Sequence, residues 1–425
     1  MTIESLLARR ERVLGPHNPL FYDDPVHLVK GEGVWVTDAD GRRYLDCYNN
    51  VPCVGHCHPR VVDAICRQAA TLNTHTRYLH ENILDYADRL LETLDDSLNR
   101  VLLTCTGSEA NDVALRMARL TTGGEGIICT NATYHGNTEL VMRLSSLFGP
   151  VDNHDGTIAM VPWPDTYRPL RGLSGKALGK AYVAEVERAI ADFERAGKRL
   201  AAFLVCPIFA NEGLPDMPPD YLKDAVAAVR AAGGLFIADE VQSGFGRTGK
   251  MWGHLHHDVV PDIMTLGKPM ANGHPVAAVV ARGDLVARFR EQVMYFNTFG
   301  GNPVSCAAAL AVLEVIEQEQ LVDNAARVGA RVLHGFRALM DRHDLIGDVR
   351  GQGLFFGVDL VLDREKRTPA PEQTRRVVNL MRERGVLMSS IGEHNNVLKM
   401  RPPLPFAEDN ADLLIDTLDQ VLRDV

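Results

Sequence analysis

No apolar run in the 425 residues approaches the ~20 needed to cross a bilayer, so no membrane-spanning helix is expected. Positive charge is in deficit, with 45 Lys and Arg against 55 Asp and Glu, a net charge of -10. That balance argues against a nucleic-acid surface, which presents a basic patch, but leaves room for a local basic pocket and an acidic metabolite. The stretch Met1 to Leu14 mixes Glu4 and Glu11 with its arginines and has no apolar signal core, so a soluble, cytoplasmic protein is expected. Cysteines number only eight and several sit inside apolar runs (Cys105, Cys129, Cys206), which suits reduced core thiols rather than a disulfide framework. Ligand pairs for a metal are also missing: Cys53, His56, Cys57 and His58 crowd one loop with no matching second pair, and His254, His256 and His257 read as a loop cluster, so no metal site is expected.

What is present is core-forming material, 46% of the residues, in a chain long enough for two domains. Residues 25–46 read as a short β-meander with turns at Gly31, Gly33 and Asp40-Gly41. Amphipathic spacing predicts helices over 60–72 and 83–94. Strands are expected at 101–105, 126–130, 202–206, 235–239 and 263–266, with helices to Leu120, from Tyr182 to Arg195 and from Tyr221 to Ala232. The Pro- and Gly-rich stretch 151–179 reads as a surface excursion. Beyond about Gln320 a separate α/β unit is expected: a helix to Met340, strands at 354–360 and 397–400, and helices at 371–384 and from Ala407. Repeated strand–helix alternation predicts a mostly parallel, doubly wound sheet, whose ligands gather at the carboxyl ends of the strands.

Two of those strand ends carry a charge. Leu235-Phe236-Ile237-Ala238 delivers Asp239, and Ile263-Met264-Thr265-Leu266 delivers Gly267-Lys268-Pro269. A carboxylate and an amine so placed suit pyridoxal phosphate, which needs an amine to capture its aldehyde and an acid to hold its ring nitrogen protonated. An isolated Asp–Lys pair would read as structural, and it is the remaining motifs that favour the cofactor. Gly107 and Ser108 occupy a strand-to-helix turn, a natural phosphate seat, although Ser108 also fits a plain helix N-cap. Tyr134, before His135, offers a ring to stack on a flat cofactor. In Phe296-Asn297-Thr298-Phe299-Gly300-Gly301 the glycines permit close backbone approach beside the Thr298 hydroxyl. Arg77, in a polar link between two helices, reads equally as a substrate contact or a solvated charge.

Taken in order, Gly107-Ser108-Glu109-Ala110, Tyr134-His135-Gly136, Asp239-Glu240-Val241-Gln242, Gly267-Lys268-Pro269 and Asn297-Thr298-Phe299-Gly300-Gly301-Asn302 resemble the class III aminotransferases of PLP fold type I, over nearly the whole chain. The resemblance implies a large domain with a mostly parallel seven-stranded sheet and a small α/β domain from both chain ends, here 1–60 and 316–425 around a PLP domain at 61–315. It implies a homodimer with shared active sites. By position, Lys268 is the Schiff-base lysine, Asp239 pairs with the ring nitrogen, Gly107 and Ser108 hold the cofactor phosphate, Tyr134 stacks on the ring and Gln242 approaches the 3-hydroxyl. Thr298 is expected at the partner subunit's cofactor phosphate.

Departures from the family pattern bear on the substrate. Where amino-acid-handling members carry an arginine for the α-carboxylate, this chain has Lys399, followed by Arg401-Pro402-Pro403; a point charge replaces a bidentate fork. A glutamate common after the strand ending at Val205 corresponds to Cys206. With Asn49-Asn50-Val51 and Gly273-His274-Pro275, these features look most like the phospho-lyase branch, which implies elimination of phosphate from phosphoethanolamine to give acetaldehyde and ammonia. Asn50, Arg77, Lys399 and Arg401 are then the candidate substrate residues, with a domain-junction salt bridge as the other reading of Arg401. An aminotransferase acting on an ω-amine or amino acid, a lyase acting on phosphohydroxylysine and a silent PLP-binding protein share the same cofactor residues.

Overall fold

The computed structural model describes residues 2–149 and 153–425, without the Phe148 side chain. Seven strands form the central sheet, in the order Arg100–Thr104, Ala277–Ala281, Ile263–Leu266, Leu235–Asp239, Leu200–Val205, Gly126–Thr130 and Ile158–Val161. All neighbours run parallel except Ala277–Ala281, which is antiparallel to both of its partners. Leu200–Val205 and Leu235–Asp239 are buried along their whole length, which is why they read as continuous apolar runs rather than alternating ones. Phe203 and Phe236, fully buried on these adjacent strands, pack with ring centroids 6.3 Å apart. A fully buried side chain of this size contributes roughly 1.5–3 kcal/mol, so the two anchor the sheet where it delivers Asp239.

Both chain ends share a smaller sheet. Leu28–Glu32, Trp35–Asp38 and Arg43–Asp46 form the meander, and Val386–Leu387 adds to it in parallel through Val386↔Leu45. Beside it, Ile346–Gln352, Phe355–Asp363, Val397–Met400 and Ser389–Ile391 make an antiparallel sheet that pairs Lys399 with Gly357 and Ser389.

The structure departs from the sequence expectation in particular places. The excursion at 151–179 begins on Val151 and Asp152, which lie outside the described residues; further on it contains the strand Ile158–Val161 and the start of the helix Gly175–Arg195. Proline and glycine marked its breaks but not the four apolar residues between them. Ala277–Ala281 was also missed, since a short apolar run after a breaker-rich loop carries no periodic signal. The N-terminal helix Ile3–Leu14 buries none of its residues, so tertiary packing did not select its pattern.

Candidate active site

The central sheet brings its charged strand ends to one cleft enclosing about 480 Å³ of empty space, part of it open to solvent. Its wall holds Gly107, Ser108, Tyr134, Asp239, Gln242 and Lys268, six of the predicted cofactor residues. At one end the strand Arg100–Thr104 turns into the helix Gly107–Thr122. Thr106, not Ser108, is the N-cap: its Oγ1 accepts from the Glu109 N–H, and the Glu109 carboxylate accepts from the Cys105 and Thr106 N–H groups at 2.7 and 3.1 Å. Helix geometry leaves the Gly107 and Ser108 N–H groups without intrahelical acceptors at the positive end of the dipole. Ser108 Oγ instead accepts from the Asn137 N–H at 3.1 Å. Gly136 closes this seat with φ +145°, and a Cβ there would stand 2.6 Å from Ser108 Oγ, so only glycine fits.

At the other end Asp239 is buried in a set of donors. His135 Nδ1 lies 2.7 Å from Oδ2, Asn111 Nδ2 donates to the same oxygen at 3.1 Å, and the Val241 N–H donates to Oδ1 at 3.1 Å. The Thr265 hydroxyl fixes the Asn111 amide, and Thr133 Oγ1 is 3.2 Å from His135 Nε2. Burial works against the Asp239 charge, yet the bond and charge of His135, with the charge of Lys268, outweigh it and hold the carboxyl below its usual range. Lys268 keeps its exposed side chain toward the cleft while protein packs around the rest. Desolvation and the charge of Arg401 bring its amine down to about 8, with Asp239 pulling the other way. An anion seat at a helix N-terminus, an ionised acid and a lysine with a lowered pKa are the groups that pyridoxal phosphate calls for.

Sequence reasoning missed what joins these groups. Asn211, on the loop after Leu200–Val205, donates Nδ2 to the Tyr134 carbonyl at 2.9 Å, while its Oδ1 accepts from Gln242 Nε2 at 3.1 Å and from Lys399 Nζ at 3.3 Å. Gln242 Oε1 accepts from Arg401, whose Nε donates to the Tyr48 carbonyl at 2.8 Å and whose guanidinium lies over the Tyr48 ring. Lys399 and Arg401 are therefore buried one layer behind the wall, backing its two amides. Burial and the nearby Arg401 and Lys268 charges push the Lys399 amine well down. Cys206 does stand on the wall where the family pattern has glutamate, its thiol pushed up to about 12 by burial and by Asp239. A buried acid appears six residues on: Glu212 Oε1 accepts from the Thr130 hydroxyl at 2.6 Å, and burial raises its pKa.

Other predicted residues lie elsewhere. Asn50 is buried in the 46–55 loop with Nδ2 lacking a hydrogen-bond partner. Arg77 and Thr298 are exposed, away from this chain's own cleft, with the Arg77 guanidinium 4.0 Å from the Phe296 ring centroid. In the loop weighed for zinc, His56 Nε2 bonds Asp46 at 2.7 Å and His58 Nε2 bonds Glu319 at 3.1 Å. Of the second histidine group, His254 Nδ1 lies 2.9 Å from Glu240 Oε1.

A doubly wound sheet with this lysine, acid and phosphate seat defines a PLP enzyme of fold type I, and residues 22–422 match the aminotransferase class-III family, to which the chain belongs. Within it, the chain is 38% identical to ethanolamine-phosphate phospho-lyase homolog 1 of Caenorhabditis elegans, covering 99% of this chain and 93% of the relative. It is 40% identical to the mitochondrial alanine–glyoxylate aminotransferase 2 homolog 2 of Arabidopsis thaliana, covering 97% and 86%. A solved phospholyase from Arthrobacter in complex with phosphoethanolamine superposes with a TM-score of 0.96 at 46% identity, covering 99% and 100% of the two chains. No described helix is long and apolar enough to cross a membrane.

Proposed function

We propose that the protein is a phospho-lyase that converts phosphoethanolamine and water into acetaldehyde, ammonia and phosphate. The observation that carries this reading is the basic pair, Lys399 and Arg401, buried behind the wall. The hydrogen bonds of Lys399 and Arg401 go to neutral amide and carbonyl oxygens. Arg247, fully buried nearby, likewise bonds the carbonyls of Leu354 and Pro402. Burying positive charge without a directly bonded counter-ion is costly; the Asp46 carboxylate, itself bonded to His56, acts on Arg401 and Arg247 from a distance, and an anionic ligand in the cleft offsets the remaining cost. A phosphate ester, with up to two charges, answers it better than a neutral amine. Likeness to the phosphoethanolamine-bound phospholyase supports the same class of substrate.

Pyridoxal phosphate, when bound, supplies the electron sink that acidifies the amine-bearing carbon and lets the neighbouring C–O bond break. Around it the chain's residues divide the work. The first turn at Gly107 and Ser108 binds the cofactor phosphate, and Tyr134 covers the ring. Asp239, kept ionised by His135, holds a proton at the ring nitrogen. Lys268 Nζ, with a depressed pKa, takes the proton from the amine-bearing carbon. The guanidinium charge of Arg401, with Lys399 as a hydrogen-bond donor behind the wall, favours the departing phosphate. We further propose a division into 1–60, 61–315 and 316–425, and a homodimer: Arg77 and Thr298 share an exposed face with Tyr78, Leu79, Met294 and Phe299, and in a dimer that face would serve the partner's cleft.

An aminotransferase is the second reading, favoured by the 40% identity to the alanine–glyoxylate relative. The test of the charge argument is Lys399→Ala. The KM for phosphoethanolamine is expected to rise at least tenfold with cofactor loading unchanged; unaltered kinetics would remove Lys399 from substrate recognition.

A further inference from the structure

Most hydrogen-bonding groups of the two wall amides are already committed. Both lone pairs of Asn211 Oδ1 are taken, by Lys399 Nζ and Gln242 Nε2, and one of its two N–H groups is spent on the Tyr134 carbonyl. These three contacts also fix the amide's orientation, since exchanging O and N would set a donor against two donors. Gln242 is held the same way, its oxygen tied back to Arg401 and one N–H given to Asn211. Each amide therefore retains one uncommitted N–H, and both residues line the cleft. Beside them the Cys206 thiol is neutral, its pKa pushed up by burial and by the Asp239 carboxylate on the same wall, so the side chain next to the two donors adds no charge of its own.

We propose that Asn211 is the residue that selects an anionic group in the substrate, and that Lys399 is a positioning residue acting through it. Lys399 pins Asn211 Oδ1 from behind, which turns the free Nδ2–H into the cleft and polarises the amide. A carboxamide so backed donates to a phosphate oxygen and has nothing to accept from an ammonium group. This assignment deepens the phospho-lyase reading and rests on it for the identity of the anion. It concerns a residue 188 positions from Lys399 in the chain, joined to it only by the fold.

The test is calorimetric titration of the PLP-loaded protein with inorganic phosphate, for wild type, Asn211→Asp, Lys399→Met and the double variant. Asn211→Asp keeps the acceptor for Lys399 and removes the donor. Each single variant is expected to bind phosphate at least tenfold more weakly, with the cofactor absorbance unchanged. The double variant is expected to be much less impaired than the product of the two losses, because both act on one amide. Binding of phosphate by Asn211→Asp within twofold of wild type, or losses that simply multiply, would overturn the proposal. If Asn211→Asp fails to load cofactor, Asn211→Ser removes the amide without adding charge and is read by the same criteria. Should wild type release no phosphate from phosphoethanolamine while the titrations follow the expected pattern, the lyase reading fails and the assignment of Asn211 stands.

Discussion

His135 Nδ1 stands 2.7 Å from Asp239 Oδ2, and this contact helps keep ionised the buried carboxyl that is proposed to hold the cofactor nitrogen. The two residues lie 104 positions apart and meet because the parallel strands before them, Gly126–Thr130 and Leu235–Asp239, end at the same carboxyl side of one sheet.

Replacing His135 with Asn removes both the bond and the charge that lower the Asp239 pKa. A carboxyl whose folded pKa lies below its unfolded value, about 3.9, stabilises the fold above that value and ceases to as the pH falls through the folded one. His135→Asn is therefore expected to raise the pH midpoint of acid unfolding, followed by circular dichroism. An unmoved midpoint would mean that His135 does not sustain the Asp239 charge.

Lys268 titrates near 8, so a larger share of it is a free amine at neutral pH than for an ordinary lysine. The rate at which cofactor-free protein captures pyridoxal phosphate is expected to rise about tenfold per pH unit below 8 and level off above it. Stopped-flow absorbance checks this. A rate still climbing steeply at pH 10 would mean the amine is not depressed.

Gly136→Ala places a methyl group against Ser108 Oγ at a backbone angle that other residues rarely adopt. The strain, about 1–3 kcal/mol, falls on the phosphate seat. Weaker pyridoxal phosphate binding by roughly tenfold or more is expected, measured by fluorescence titration, with the unfolding temperature little changed in the cofactor-free protein.

Leu79 is 97% exposed and Met294 83%, on the face that carries Arg77 and Thr298. Under the proposed homodimer, the double substitution Leu79→Asp and Met294→Asp is expected to give monomers in sedimentation velocity where wild type sediments as a dimer. If the variant sediments like wild type, that face is not the dimer contact.

The parts of this site legible in the sequence were those where one short segment carries the chemistry. Lys268 and Asp239 each end an apolar strand, and Gly107-Ser108 opens a helix, so their surroundings are local. Asn211 gave no such signal. Its partners Tyr134, Gln242 and Lys399 come from three other segments, and a lone Asn in a loop is ordinary turn chemistry. The same holds for the Gln242–Arg401 contact, 159 residues apart, which places Arg401 behind an amide rather than on the wall. Periodicity found the long amphipathic helices, such as Pro59–Thr71, and passed over Ala277–Ala281, whose antiparallel direction depends on its neighbours.

The most direct measurement follows phosphoethanolamine by 31P NMR with the PLP-loaded protein, assays acetaldehyde alongside and includes no 2-oxoacid. Equal amounts of inorganic phosphate and acetaldehyde, continuing over many turnovers per site, are the predicted result. The contradicting result is no phosphate release while alanine converts the bound cofactor to its pyridoxamine form, which would make the protein an aminotransferase.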